Sequence, residues 1–118
     1  MSRRIKKLNQ LFRADISALL QKEIRDPRLD TLLSVNEVDI SEDMRHANVY
    51  VSHLAGDEHK DEILAALNAA AGFFRTEIAK KTDIRYMPVF HFVWDITIER
   101  GVRLNTLIDQ VIHHQPED

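Results

Sequence analysis

The stretch Ala65-Ala66-Leu67-Asn68-Ala69-Ala70-Ala71-Gly72-Phe73-Phe74-Arg75 sets a glycine inside a run of helix formers, then adds two aromatics and a cation. Glycine costs about 1 kcal/mol relative to Ala in a helix interior. Its place here therefore suggests a bend, or a surface that another backbone or a phosphate can approach. Around it, Ile63, Leu67, Ala70 or Ala71, Phe74 and Ile78 keep helical phase over residues 58–81. Periodicity alone admits one long helix or two helices meeting at an angle. We take the second reading, with the bend at Gly72.

Working upstream, Ala55-Gly56-Asp57 breaks the pattern, and Asp57 is a good N-cap ahead of Glu58, Asp61 and Glu62, acids that suit the first turns of a helix. Before it, Ala47, Val49 and Val51 alternate against Asn48, Tyr50 and Ser52, which predicts a strand over 46–54. The polar turn Ser41-Glu42-Asp43-Met44-Arg45 joins it to a strand over 32–40. There Leu33 and Val35 share one phase while Val38 and Ile40 have the other, so a bulge is expected near Asn36-Glu37. A first helix over 4–25 is read from Ile5, Leu8, Phe12, Ile16, Leu19 and Ile24, with Leu11 and Leu20 widening the stripe. Asp26-Pro27 ends it, because the residue before Pro is disfavoured in the α region.

Working downstream, Lys80-Lys81-Thr82-Asp83 closes the helical unit. A strand over 89–94 comes next, with Phe90, Phe92 and Trp94 on one face and Val89, His91 and Val93 on the other; Pro88 fits its start. Asp95 or Thr97 begins a final helix with the stripe Ile98, Leu104, Ile108 and Val111, and His113 to Asp118 should fray. The order helix-strand-strand-helix-helix-strand, plus a closing helix, is an α+β chain with a three-stranded sheet and helices on one face.

At 118 residues the chain is one domain. It has no cysteine, which excludes disulfides, thiolate metal sites and thiol nucleophiles. It lacks an apolar run of ~18 residues and a signal-peptide core near Met1-Ser2-Arg3-Arg4, so we expect a cytoplasmic protein. The net charge of −3 is unevenly spread. Residues 1–28 carry eight cations and three acids, residues 29–70 two and nine, residues 71–103 six and four, and residues 104–118 none and three. A polarised surface of this kind can bind a polyanion although the total is negative.

The element order is similar to the type II KH arrangement. A typical KH domain joins its middle helices with a Gly-x-x-Gly loop that clamps nucleic-acid backbone; here an Ala-x-Gly kink, Ala70-Ala71-Gly72, stands in that place. With Arg3-Arg4-Ile5, Ile24-Arg25-Asp26-Pro27-Arg28, Val49-Tyr50-Val51, Ala70 to Arg75, Pro88 to Asp95 and Ile98-Glu99-Arg100-Gly101, the chain closely resembles bacterial ribosome-binding factor A from about Arg4 to Ile112. The resemblance implies a KH-like RNA-binding domain over 1–112 with a flexible tail at 113–118. It implies a monomeric, non-catalytic factor that binds the free 30S subunit and acts on late maturation of 16S rRNA, including the helix at its 5′ end, most importantly in the cold. It also implies release before translation, in many bacteria promoted by a ribosome-associated GTPase, and no cofactor.

Two RNA-contacting regions are expected. One is the cationic face of the first helix, Arg3, Arg4, Lys6, Lys7 and Arg13, since Lys and Arg on phosphates supply most sequence-independent affinity. The other is the kink with the cations after it: Ala70, Gly72, Arg75, Lys80, Lys81 and Arg85. Ala70 and Gly72 also suit plain helix packing. The aromatics Phe90, Phe92 and Trp94 read as core rather than as platforms for bases, as do Phe73 and Phe74, with one of that pair exposed. The six histidines, His46, His53, His59, His91, His113 and His114, form no recognised metal-ligand spacing. The acids at Asp57, Glu58, Asp61 and Glu62 are explained by a helix start. An alternative is a protein-binding module that offers its acidic middle segment, 29–70, to a basic partner.

Overall fold

A computed structural model describes residues 3–22, 28–29 and 32–96. Its order is α1 (Arg3–Lys22), β1 (Leu33–Ile40), β2 (His46–His53), α2 (Lys60–Ala69), α3 (Ala71–Ala79) and β3 (Val89–Trp94). The expected closing helix lies outside the described residues beyond Ile96, as does the Asp26-Pro27 stop.

The sheet runs β1-β2-β3, with β1 antiparallel to β2 and β2 parallel to β3. β1 and β2 are adjacent in sequence and close as a hairpin; the parallel partner needs a crossover, which α2 and α3 supply. α1 packs on β1 and reaches α3, while α2 and α3 cover β3. The inward side chains Val35, Val38, Ile40, Ala47, Val49, Val51, Phe90 and Phe92 are all buried, with Ile5, Phe12, Ile16 and Leu19 of α1 above them. Phe90 meets the ring of Phe12 edge-on at 5.7 Å, and Phe92 lies 5.3 Å from Phe74. The aromatic strand is therefore core, and of the adjacent pair Phe73 is 38% exposed while Phe74 is fully buried.

The bulge in β1 falls where the phase changes. Val35 pairs with Val51 and Glu37 with Tyr50, leaving Asn36 as the extra residue. Its amide donates to Ser52 Oγ (3.0 Å) and Asp95 Oδ2 (2.8 Å), and its oxygen accepts from Ser34 Oγ (2.9 Å). An unpaired bulge residue thus becomes a polar knot across both flanking segments, and Val35 and Val38 can both face the core.

Two local expectations are corrected. Asp57 does not cap α2. The helix starts at Lys60, with His59 in the cap position and no side-chain cap bond, because residues 57–60 first make a turn in which Lys60 N–H donates to Asp57 C=O at 3.2 Å. Gly56, at φ +107°, supplies the left-handed residue that the approach to the helix needs. The bend between helices falls on Ala70, not Gly72. Ala70 sits at φ −94°, ψ 4°, and its N–H is shared between the Ala66 and Leu67 carbonyls. Gly72 is an ordinary helical residue of α3, and a Cβ built there meets nothing within 4 Å. The tightened last turn of α2 makes the break, so neither glycine's freedom nor a close approach is required.

Candidate nucleic-acid interface

Parallel pairing of His46 with Val89 puts the starts of β2 and β3 at one end of the sheet. The residues just before each strand, Arg45 on one side and Arg85-Tyr86 on the other, are thereby brought together. The stitch is direct: Val89 N–H donates to the Arg45 carbonyl at 2.9 Å. The N-terminal turn of α1 adds Arg4 and α3 adds Arg75. The result is an open hollow of about 810 Å³ with Arg4, Arg45, Arg75 and Arg85 in its wall. Asp43 lines it as well, but one oxygen is occupied, Oδ1 accepting from Ser41 Oγ (2.7 Å) and Arg45 N–H (3.0 Å). Those two hydrogen bonds, the Ser41 hydroxyl first, hold the Asp43 carboxyl below its usual pKa.

The loop that carries Arg85 and Tyr86 is anchored. Ile84 and Met87 turn into the core margin and Pro88 is buried. Arg75 donates from Nη2 to the Met87 carbonyl at 3.1 Å. Arg75 thus fastens this loop to α3 with one donor, leaving other guanidinium donors for the hollow. Arg85 lies over the Tyr86 ring, Cζ to centroid 5.5 Å. The first turn of α1 contains no acid but two arginines, Arg3 and Arg4, where the helix dipole already favours negative charge. Dipole and side chains add to the same positive potential.

The other expected residues are distributed differently. Lys6 and Arg13 leave α1 on the opposite flank, in a shallow hollow along β1 that also holds Glu37 and Asp39. Arg3 and Lys7 are exposed on α1. Lys80 pairs with Glu77 at 3.0 Å, and Lys81 is exposed just after α3. Ala70 is half-buried against the core and Gly72 is exposed on the helix surface beside it. Neither Lys80 and Lys81 nor Ala70 and Gly72 line the arginine hollow, so the two expected regions meet only through Arg4, Arg75 and Arg85.

Sequence reading missed Arg45 and Tyr86. Arg45 was hidden by averaging, as one of two cations among nine acids over 29–70. Tyr86 sits in a non-periodic loop; its one signal was a position beside Arg85 and two residues before Pro88. A close His46–His91 pair was also missed, with Nδ1 to Nε2 2.9 Å and rings stacked at 5.1 Å on the sheet face turned away from the described helices. Among the described residues no three His, Cys, Asp or Glu side chains could hold a metal ion, and no helix is long and apolar enough to cross a membrane.

The fold is a three-stranded α+β module with an arginine-lined hollow at one end of its sheet. The chain belongs to the ribosome-binding factor A family, whose model matches residues 4–108. A ribosome-binding factor A from Dehalococcoides mccartyi is 92% identical over 118 residues, covering all of both chains. Another, from Acetivibrio thermocellus, is 41% identical over 107 residues, covering 91% of this chain and 87% of its own. Among solved structures, the crystal structure of ribosome-binding factor A from Thermus thermophilus superposes with a TM-score of 0.69 at 26% identity, covering 76% of this chain and 93% of its own. A Thermus thermophilus ribosome-binding factor A homology model, fitted into the cryo-EM map of a complex with 30S, superposes with a TM-score of 0.61 at 26% identity over 75% of this chain and 92% of its own.

Proposed function

We propose that this protein is a non-catalytic assembly factor that binds the free 30S ribosomal subunit on its 16S rRNA and favours late maturation of that RNA. The single observation that carries polyanion contact is the convergence of Arg4, Arg45, Arg75 and Arg85 on one hollow in a chain whose net charge is −3. Gathering four like charges is unfavourable in the free protein, and a multivalent anion offsets that repulsion. Family membership, and the fitting of a relative into a 30S complex, support rRNA as that anion.

The element order with a parallel β2–β3 pair supports a type II KH-like RNA-binding unit, taken over residues 1–112, in which the break at Ala70-Ala71-Gly72 replaces a Gly-x-x-Gly loop. On this reading Lys6, Lys7, Arg13, Arg3, Lys80 and Lys81 are outlying phosphate contacts around the hollow. The protein acts in the cytoplasm as a monomer, on a region including the helix at the 5′ end of the rRNA, with most weight in the cold. A ribosome-associated GTPase promotes its departure. Binding moves rRNA folding only as far as affinity differs between conformations, so the bound surface must be absent or altered in the mature particle.

Co-sedimentation tests the proposal. The protein should travel with free 30S subunits, fall away steeply between about 50 and 200 mM salt, and travel little with complete ribosomes. Equal binding to both particles, or binding indifferent to salt, would overturn it.

A further inference from the structure

We propose that the arginine hollow is a subsite for one unpaired nucleotide, its base stacked on Tyr86 and its flanking phosphates held by Arg4, Arg45 and Arg85. The inference rests on the RNA reading above and adds what part of the RNA is taken.

An exposed tyrosine is ordinary by itself. Three features set this one apart. First, Tyr86 is 71% exposed although its neighbours are anchored: Ile84 and Met87 pack at the core margin, Pro88 is buried and Arg75 ties Met87 to α3. The ring is held out on a fastened loop, so little ordering is left to oppose binding. Second, Arg85 covers one ring face at 5.5 Å, so exposure this large leaves the opposite face open to a base, giving an Arg–Tyr–base stack. Third, the ring shares a hollow of about 810 Å³ with the arginines, within the range of about 300–1,000 Å³ typical of small-ligand sites.

A duplex hides its base faces, so a stacking ring is used only by a loop, bulge or single strand. Among the described residues no Asn or Gln lines the hollow, and Asp43 Oδ1 already accepts two hydrogen bonds within the hairpin. The stacking contact itself grips a base by its face, which every base offers.

The test is a titration of the full chain with a short single-stranded RNA carrying 2-aminopurine, and with a duplex of the same length. Thermal melts would verify that the variants fold, as expected for an exposed side chain. Wild type should quench the probe on binding. Tyr86→Phe should keep both quenching and affinity. Tyr86→Ala should lose quenching and roughly tenfold in single-strand affinity, with an unchanged salt slope and unchanged duplex binding. A Tyr86→Ala variant that binds the single strand like wild type, or that loses as much for duplex, overturns the stacking subsite while leaving RNA binding in place. Wild type that binds neither RNA at low salt overturns both proposals.

Discussion

Asn68 of α2 pairs its side-chain amide with both main-chain groups of Phe92 in β3. The Phe92 N–H donates to Asn68 Oδ1 at 3.0 Å, and Asn68 Nδ2 donates to the Phe92 carbonyl at a longer 3.4 Å. A backbone N–H can only donate, so the amide oxygen must face it. Among the described residues β3 is an edge strand, and the amide stands where a fourth strand would pair. At the other edge Asn9 of α1 also serves a strand N–H, accepting from Ile40 at 2.9 Å. Both margins of a three-stranded sheet thus carry a helix side chain on a backbone N–H, a defence against pairing with another chain.

Replacing Asn68 with Ala should therefore do two things. It leaves Phe92 N–H without its partner and costs about 1–2 kcal/mol, a fall of several degrees in melting temperature for a domain of this size. It also opens the β3 edge, so light scattering should show more self-association than wild type at equal concentration. A variant with unchanged melting and scattering would show that water serves Phe92 equally well.

Gly72 makes the opposite prediction. It sits inside α3 with open space where a Cβ would go. Gly72→Ala should raise stability by about 0.5–1 kcal/mol in a urea titration. A loss of stability would mean that the position needs glycine after all.

Asp43 links the β1–β2 turn to pH. Its folded pKa is lowered from 3.8 by the Ser41 hydroxyl and Arg45 N–H, so folding favours the carboxylate. That contribution is present above the unfolded pKa and is lost as pH falls through the lower folded value. The gap in melting temperature between wild type and Asp43→Ala should thus hold at neutral pH and narrow below pH 3.8. Arg45 and Met44 ride on the same turn, Met44 at φ +62°.

The arginine hollow should dominate subunit binding. Arg4→Glu with Arg85→Glu should lower affinity for free 30S subunits more than tenfold, and flatten the salt slope by about one for each phosphate no longer neutralised. Lys80→Glu with Lys81→Glu, the same change in charge, should have the smaller effect, since both lie outside the hollow and Lys80 is already paired with Glu77. Equal losses in the two variants would point to a diffuse cationic surface.

Much of the fold could be read directly. The apolar spacing of α1, the alternation in β2 and the phase change that marks Asn36 are local consequences of periods of 3.6 and 2, and the elements appear where those periods hold. The errors were also local. Asp57 has the chemistry of a cap, but the turn at Gly56 postpones the helix to Lys60. Gly72 has the chemistry of a bend, but the carbonyls of Ala66 and Leu67 compete for the Ala70 N–H and the chain turns there.

The amino-acid order by itself determined which stretches form helices and strands and which face of each is apolar, since periodicity and propensity are local along the chain. The tertiary structure alone decided which cations keep company. Arg4 and Lys6 are two residues apart yet leave α1 on opposite flanks, while Arg45 and Arg85, forty positions apart by their numbering, line one hollow. The reason is the parallel register of His46 with Val89, a long-range pairing that brings two strand starts to the same end of the sheet.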